Sequence, residues 1–272
     1  MKRSSVVFIT LGVLLLIFAA LVPPYMLGQA RTLPKDLDVS VISESPQGYT
    51  RTEHIVTAPT EKIDEIRTRV DLTITDDSGQ LVSEVKDELT LIGHSRFPVI
   101  EPTASISGSP VDSSNQTREG LHWFFPANAL RNSYPFYDII LGTAEPVDYV
   151  SREDDIYTFY QDLRYAPLDE THNYSVQRTI EVEKNSGLII NKEEVMTFHD
   201  ASGEQTVEFT YTDASRAEMT KRAEDINQKI QLAKILDFSS KFLGFLLIVI
   251  GAVKTGIFKR GELAKTVQNL GR

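Results

Sequence analysis

The stretch VVFITLGVLLLIFAALV, residues 6–22, runs seventeen positions without a charge, and FSSKFLGFLLIVIGAVKTGIF, residues 238–258, repeats the theme near the other end. At about 1.5 Å per residue, roughly 20 residues cross a hydrocarbon core, so both runs are long enough to span a bilayer. Tyr25, Met26 and Leu27 extend the first run past Pro23 and Pro24, which defines a first transmembrane segment over 6–27 and a second over 238–258. Lys241 and Lys254 stand near the ends of the second, where long stems carry an ammonium to the headgroups. Lys2 and Arg3 precede the first run, while Lys259, Arg260, Lys265 and Arg272 follow the second. Because Lys and Arg favour cytoplasmic loops, residues 1–5 and 259–272 are expected in the cytoplasm, as the tails of a two-pass protein of the cytoplasmic membrane. A cleaved signal peptide shares the basic start and the apolar run, but no clear small-x-small cleavage site follows here.

Between the two runs the charge reverses. Arg31 to Asp237 carries 20 Lys and Arg against 37 Asp and Glu, and the whole chain has a net charge of −10. Such a segment is expected on the outer side, in a periplasm-like space. Its charge excludes nucleic acid and adhesion to anionic lipid, both of which need a basic face. The chain has no Cys, which removes disulfides, thiolate metal sites and Cys nucleophiles.

The acidic middle alternates with period two. Val70, Leu72 and Ile74 alternate with Asp71, Thr73 and Thr75; Asp76 to Gly79 turns, and the chain returns to Leu89, Leu91 and Ile92. A second hairpin runs from Ile180 and Val182 through Asn185-Ser186-Gly187 to Phe198, and Val207 to Tyr211 and Tyr157 to Leu163 add further strands. Thr68–Ile92 and Gln177–His199 resemble each other, as any two hairpins on an acidic sheet would. Residues 100–117, rich in Ser, Pro and Thr, read as a loop between two halves. From residue 213 the period becomes helical: Asp213 is placed to cap, Ser215 and Glu218 have capping-box spacing, and Met219, Ala223, Ile226, Ile230 and Ala233 form a narrow stripe. The expected fold is an α+β membrane protein. Two transmembrane helices flank a mainly antiparallel β domain at 28–212, with an amphipathic helix over 213–237 leading into the second span.

No catalytic spacing stands out. His54, His94, His122, His172 and His199 are scattered without metal-ligand spacing, each reading as a surface or strand residue, and no Gly-rich phosphate loop or Gly-x-Ser-x-Gly elbow occurs. A hydrolase would need a Ser, a His and an acid brought together by folding alone. No cofactor or metal is implied. The salient constellation is aromatic: Gly120-Leu-His-Trp-Phe-Phe-Pro126, then Tyr134-Pro-Phe-Tyr137, around the sole Trp. Rings of this size commonly anchor a core. The functional alternative is a groove for an acyl chain or a sugar face, made by Trp123, Phe124, Phe125, Tyr134, Phe136 and Tyr137.

These residues, with the Tyr157-Thr-Phe159 strand and the two-pass plan, resemble the actinobacterial membrane proteins of the porin PorA family. Trp123-Phe-Phe-Pro126 stands where the family pattern has an aromatic-Lys-Phe-Pro run. The resemblance implies an actinobacterial envelope protein with no agreed catalytic residues. It also implies partners such as membrane lipid, a glycolipid of the mycolate class and an RND-type lipid transporter. Two functions follow as expectations: a non-enzymatic envelope factor supporting glycolipid trafficking or assembly, and an oligomeric channel. A channel needs a closed barrel or several helices around a lumen, so one two-helix copy would have to form a homo-oligomer.

Overall fold

The computed structural model describes residues 3–111 and 113–255; the tail expected at 259–272 and the last positions of the second apolar run, 256–258, lie outside the described residues. Contacts divide the chain into a helix unit, residues 1–30 and 228–272, and a β unit, residues 31–227.

In the helix unit, α1 spans Arg3–Arg31. It continues through Pro23 and Pro24, although each lacks the N–H that would close a bond to the carbonyl four residues earlier. The second helix, α2, spans Asp213–Thr255 without a break. Both are long and apolar enough to cross a membrane. Small residues let them approach closely: Ser5, Gly12 and Ala19, seven apart, are buried on α1, and Gly244 and Gly251, also seven apart, on α2. A Cβ at Gly251 would lie 3.1 Å from the Ser5 carbonyl oxygen. A seven-residue repeat keeps a seam facing its partner through left-handed supercoiling, and small side chains are the usual lining of such seams in lipid. Near the end of the pair Lys254 Nζ sits 4.4 Å from the centre of the Phe8 ring. The remaining faces expose Val7, Leu14, Ile17, Leu21, Phe238, Phe242 and Phe245, an apolar surface that hydrocarbon satisfies and water does not.

The β unit holds twelve strands among the described residues: β1 (Asp38–Glu44), β2 (Thr50–Pro59), β3 (Glu65–Thr75), β4 (Leu81–Ile92), β5 (Ala104–Ser107), β6 (Ser113–Gln116), β7 (Tyr134–Asp138), β8 (Thr143–Glu153), β9 (Ile156–Pro167), β10 (Asn173–Glu183), β11 (Ile189–Asp200) and β12 (Gly203–Tyr211). They form one antiparallel sheet in the order β6-β5-β4-β3-β2-β1-β12-β11-β10-β9-β8-β7. Two meanders of six strands thus meet where β1 pairs with β12, Ser43 opposite Tyr211. The first meander walks outward from that seam and the second walks inward, so both step the same way across the sheet.

Alternation sets the inner face. Val39, Val41, Ile55, Val70 and Leu72 point inward from the first meander, and Phe159, Val176, Ile180 and Phe209 from the second. Two expectations change. Residues 100–117 are not wholly a loop, since β5 and β6 extend the sheet there. The cap of α2 is Thr212: its Oγ1 accepts from the Ser215 amide at 3.2 Å, while Ser215 Oγ accepts from the Ile42 amide at 2.7 Å and ties the helix start to β1. Met219, Ala223 and Ile226 of the expected stripe are buried in this unit.

Candidate functional site

One row of cross-strand partners defines the site. Phe209 on β12 lies opposite Glu194 on β11, Glu194 opposite Arg178 on β10, and Arg178 opposite Gln161 on β9. Period two puts Lys192, Glu194 and Met196 on the same inward face, so two charged residues of β11 point into the interior.

The charges are matched. Arg178 donates to Glu194 Oε1 at 2.6 Å, to Gln161 Oε1 at 2.6 Å and to Asp138 Oδ2. Lys192 Nζ donates to Glu53 Oε1 at 2.9 Å, and Arg51 Nη1 lies 2.6 Å from Glu194 Oε2. Arg51, Lys192 and Arg178 thus face Glu53, Glu194 and Asp138, three cations against three anions, all buried. Burial alone would raise the Glu194 carboxyl, but Lys192, Arg51 and Arg178 outweigh it and hold that group well below the usual carboxylate range. Asp138 also accepts from the Ile140 and Leu141 amides at 2.8 and 3.0 Å, which fixes the corner after β7.

The aromatic segment covers this row. Trp123 Nε1 donates to Asp87 Oδ2 at 3.3 Å, Arg118 pairs with the same carboxylate, and the Arg118 guanidinium lies 4.6 Å over the Tyr137 ring. Burial raises Asp87 despite Arg118. His122, 4% exposed, stacks on Tyr137 with centroids 4.6 Å apart, and its Nδ1 lies 3.1 Å from the Gly120 carbonyl oxygen. Burial, and then Arg118, push this imidazole well below its ordinary value, so it is neutral, with Nδ1–H donating to Gly120 and Nε2 left as an acceptor. Two main-chain bonds seat the segment: the Phe125 amide donates to Gly187 O at 2.9 Å and the Leu121 amide to Pro135 O at 2.7 Å.

A cavity of about 90 Å³ lies between these layers. Apolar Leu72, Ile74, Val85 and Met196 line it together with the charged Arg51, Glu53, Lys192, Glu194 and Arg178, and His122 and Trp123 stand beside them. Of the six aromatic residues singled out in sequence, Trp123, Phe136 and Tyr137 line it. Phe125 is fully buried and stacks on Phe159 at 4.6 Å, Tyr134 meets Phe159 edge-on at 5.7 Å, and Phe124 is buried. Sequence reading did not single out the charged residues that line the cavity beside Trp123, Phe136 and Tyr137. His122, read as a surface or strand residue, is an interior one.

Folding does bring a Ser, a His and an acid together elsewhere. Ser175 Oγ is 2.9 Å from His199 Nε2, and His199 Nδ1 is 3.1 Å from Glu204 Oε1. Ser175 occupies the register shift between Tyr174 and Val176, however, and its Oγ already accepts the Tyr165 amide at 3.0 Å. Glu204 is 62% exposed, so water screens it from the imidazole it would have to orient. Among the described residues no group of three or more His, Asp or Glu could hold a metal ion.

The family model described as Porin PorA matches residues 4–253. A protein of Corynebacterium resistens with the name Porin PorA is 26% identical over 226 residues, covering 61% of this chain and 54% of its own. A second with that name, from Corynebacterium amycolatum, is 29% identical over 79 residues, covering 27% of this chain and 20% of its own. The match therefore spans about half of the first relative and a fifth of the second.

Proposed function

Because the chain belongs to the Porin PorA family, we propose that it is a channel-like, non-enzymatic envelope protein that conducts only as an assembly of several copies. The name of its relatives supports the channel over the trafficking role expected from sequence. The observation that supports this form of the proposal is the filled interior of the β unit: Trp123, Phe124, Phe125 and the charged row are all buried, which leaves little room for a lumen among the described residues of one copy. A conducting path must run between copies. Purified full-length protein in planar bilayers should give discrete steps whose frequency rises faster than linearly with protein concentration. Silent bilayers across a range of concentrations and salts would overturn the proposal.

In this reading both termini are cytoplasmic and the β unit faces the periplasm-like space, an orientation supported by the basic residues flanking the two apolar runs. Reporter fusions at the termini and within the β unit test it directly. A β unit accessible only from the cytosol would reverse it.

A second reading has its own observation. The cavity behind Trp123 is lined by both apolar and charged side chains, the mixture that a site for an amphipathic molecule needs. On this reading the anchored β unit holds an envelope glycolipid and works beside a lipid transporter. Mass spectrometry of lipids and proteins that co-purify from native membranes tests it, and the absence of both classes of partner would sink it.

A further inference from the structure

Two residues that line the cavity behind Trp123 carry a buried acceptor without a partner. His122 Nε2 and Glu53 Oε2 lie away from solvent with no protein hydrogen bond, whereas Arg51 Nε is 3.3 Å from Glu53 Oε1. A buried polar atom left without a hydrogen bond is costly, so the cavity suits a guest that supplies them. Both atoms are acceptors, and the guest must bring donors.

Charge narrows the class further. The cations and anions around the cavity are already matched, so an anionic guest would meet Glu53 and Glu194 while a cationic guest would meet Arg51, Lys192 and Arg178. A neutral guest meets neither penalty. The Trp123 ring, with Lys192 Nζ 5.5 Å from its centre, supplies a flat apolar face beside the polar atoms. At about 90 Å³ the space admits several waters or one small organic fragment.

We propose that this cavity binds a neutral polyol, the vicinal hydroxyls of a sugar or cyclitol headgroup, through hydroxyl donors to His122 Nε2 and Glu53 Oε2. The proposal rests on the ligand-holding reading above and gives that ligand its chemistry. A hydroxyl donates without adding charge, and two hydroxyls on one guest can satisfy both acceptors.

Because Trp123 is the sole Trp, its fluorescence reports on the cavity wall without labelling. The full chain is solubilised in a detergent without a sugar headgroup, such as lauryldimethylamine oxide, and titrated with myo-inositol and with methyl glucoside. A saturable change is expected, weakened about tenfold or more in His122→Phe, which keeps a ring against Tyr137 and deletes the Nε2 acceptor. Glu53→Gln serves as a second variant, with near-ultraviolet circular dichroism confirming that each variant is folded. Choline and acetate, titrated in parallel, should give no saturable change. No response to either polyol, or an equal response to the charged probes, overturns the inference. If dodecanol quenches Trp123 while the polyols do not, the inference falls and the ligand-holding reading survives; if nothing binds, both fall.

Discussion

Gly12 and Gly244 face each other at a close approach of the two helices: a Cβ built on Gly12 would stand 2.6 Å from the Gly244 carbonyl oxygen and 2.7 Å from Ile248 Cγ1. Backbone oxygen cannot rotate away as a side chain can, so even one methyl must push the helices apart. Gly12→Ala is expected to destabilise the helix pair by about 1–3 kcal/mol, the usual cost of overpacking. Gly28→Ala, at a position with no atom within 4 Å of the added Cβ, should be close to neutral. Thermal unfolding of both variants in detergent checks the pair, and equal midpoints would show that the close approach is not there.

Arg178 is the hub of the interior row, with bonds to Glu194, Gln161 and Asp138. Arg178→Ala takes an ion-pair partner from two buried carboxylates, and since Glu194 keeps Arg51 and Asp138 keeps two amides, the loss is expected near the lower end of the range for breaking a buried pair, about 3 kcal/mol. Arg178→Lys should recover only part of that loss, because one ammonium cannot reproduce the fork that reaches three acceptors. Denaturant midpoints followed by the β-sheet signal measure both. A neutral Arg178→Ala would mean the carboxylates are hydrated and the row is not buried.

The buried His122 gives the protein an acid sensitivity of definite sign. In the folded chain the imidazole is held well below its ordinary value, chiefly by burial and then by Arg118, with Tyr137 stacked on its face and Asp87 paired to Arg118. The unfolded chain therefore takes up a proton near pH 6.5 while the folded chain does not, so stability is complete above that pH and declines below it. The decline from this one group approaches about 1.4 kcal/mol per pH unit and ends at the folded-state value. His122→Phe should flatten the stability curve between about pH 6.5 and 5 relative to the parent. An unchanged slope would place the parent's titration at another group.

The two apolar runs, the turns at 76–79 and 185–187 and the single long helix could be read directly, because each rests on local pattern: run length, period, or turn residues. The interior charges could not. Glu194 and Lys192 are typical of a solvated strand face in composition, and only the register with Met196 and the β10 partner Arg178 turns them inward. A signal was present in the spacing, since Lys192, Glu194 and Met196 share one parity, but parity alone does not say which face is wet. The seam between β1 and β12 was equally hidden, since it pairs residues such as Ser43 and Tyr211 that lie far apart in the chain.

The Ser175, His199 and Glu204 chain of hydrogen bonds should be catalytically silent. Its nucleophile oxygen accepts a main-chain amide and its acid lies largely in water. A fluorophosphonate probe is expected to leave the full chain unlabelled under conditions that label a serine hydrolase to completion. Labelling at Ser175 that disappears in His199→Gln would reverse this and make the protein an enzyme.

Gly187 determines whether the aromatic segment can lie on the sheet at all. It adopts φ +74°, and a Cβ there would sit 2.1 Å from the Phe125 carbonyl oxygen, while its own carbonyl accepts the Phe125 amide at 2.9 Å. Gly187→Ala therefore adds a backbone clash to the left-handed strain of about 1–2 kcal/mol that any L side chain carries. Gly79 provides the comparison: its φ is +78°, but a Cβ there has no neighbour within 4 Å, so Gly79→Ala should bear the strain alone. The expected outcome is a loss several-fold larger at 187 than at 79, with Trp123 emission shifted to the red only in Gly187→Ala as the segment lifts and water reaches the ring. Equal losses, or an unshifted Trp123, would show that the segment does not depend on this contact, and the wall of the cavity would then have to be held by Leu121 and Pro135 instead.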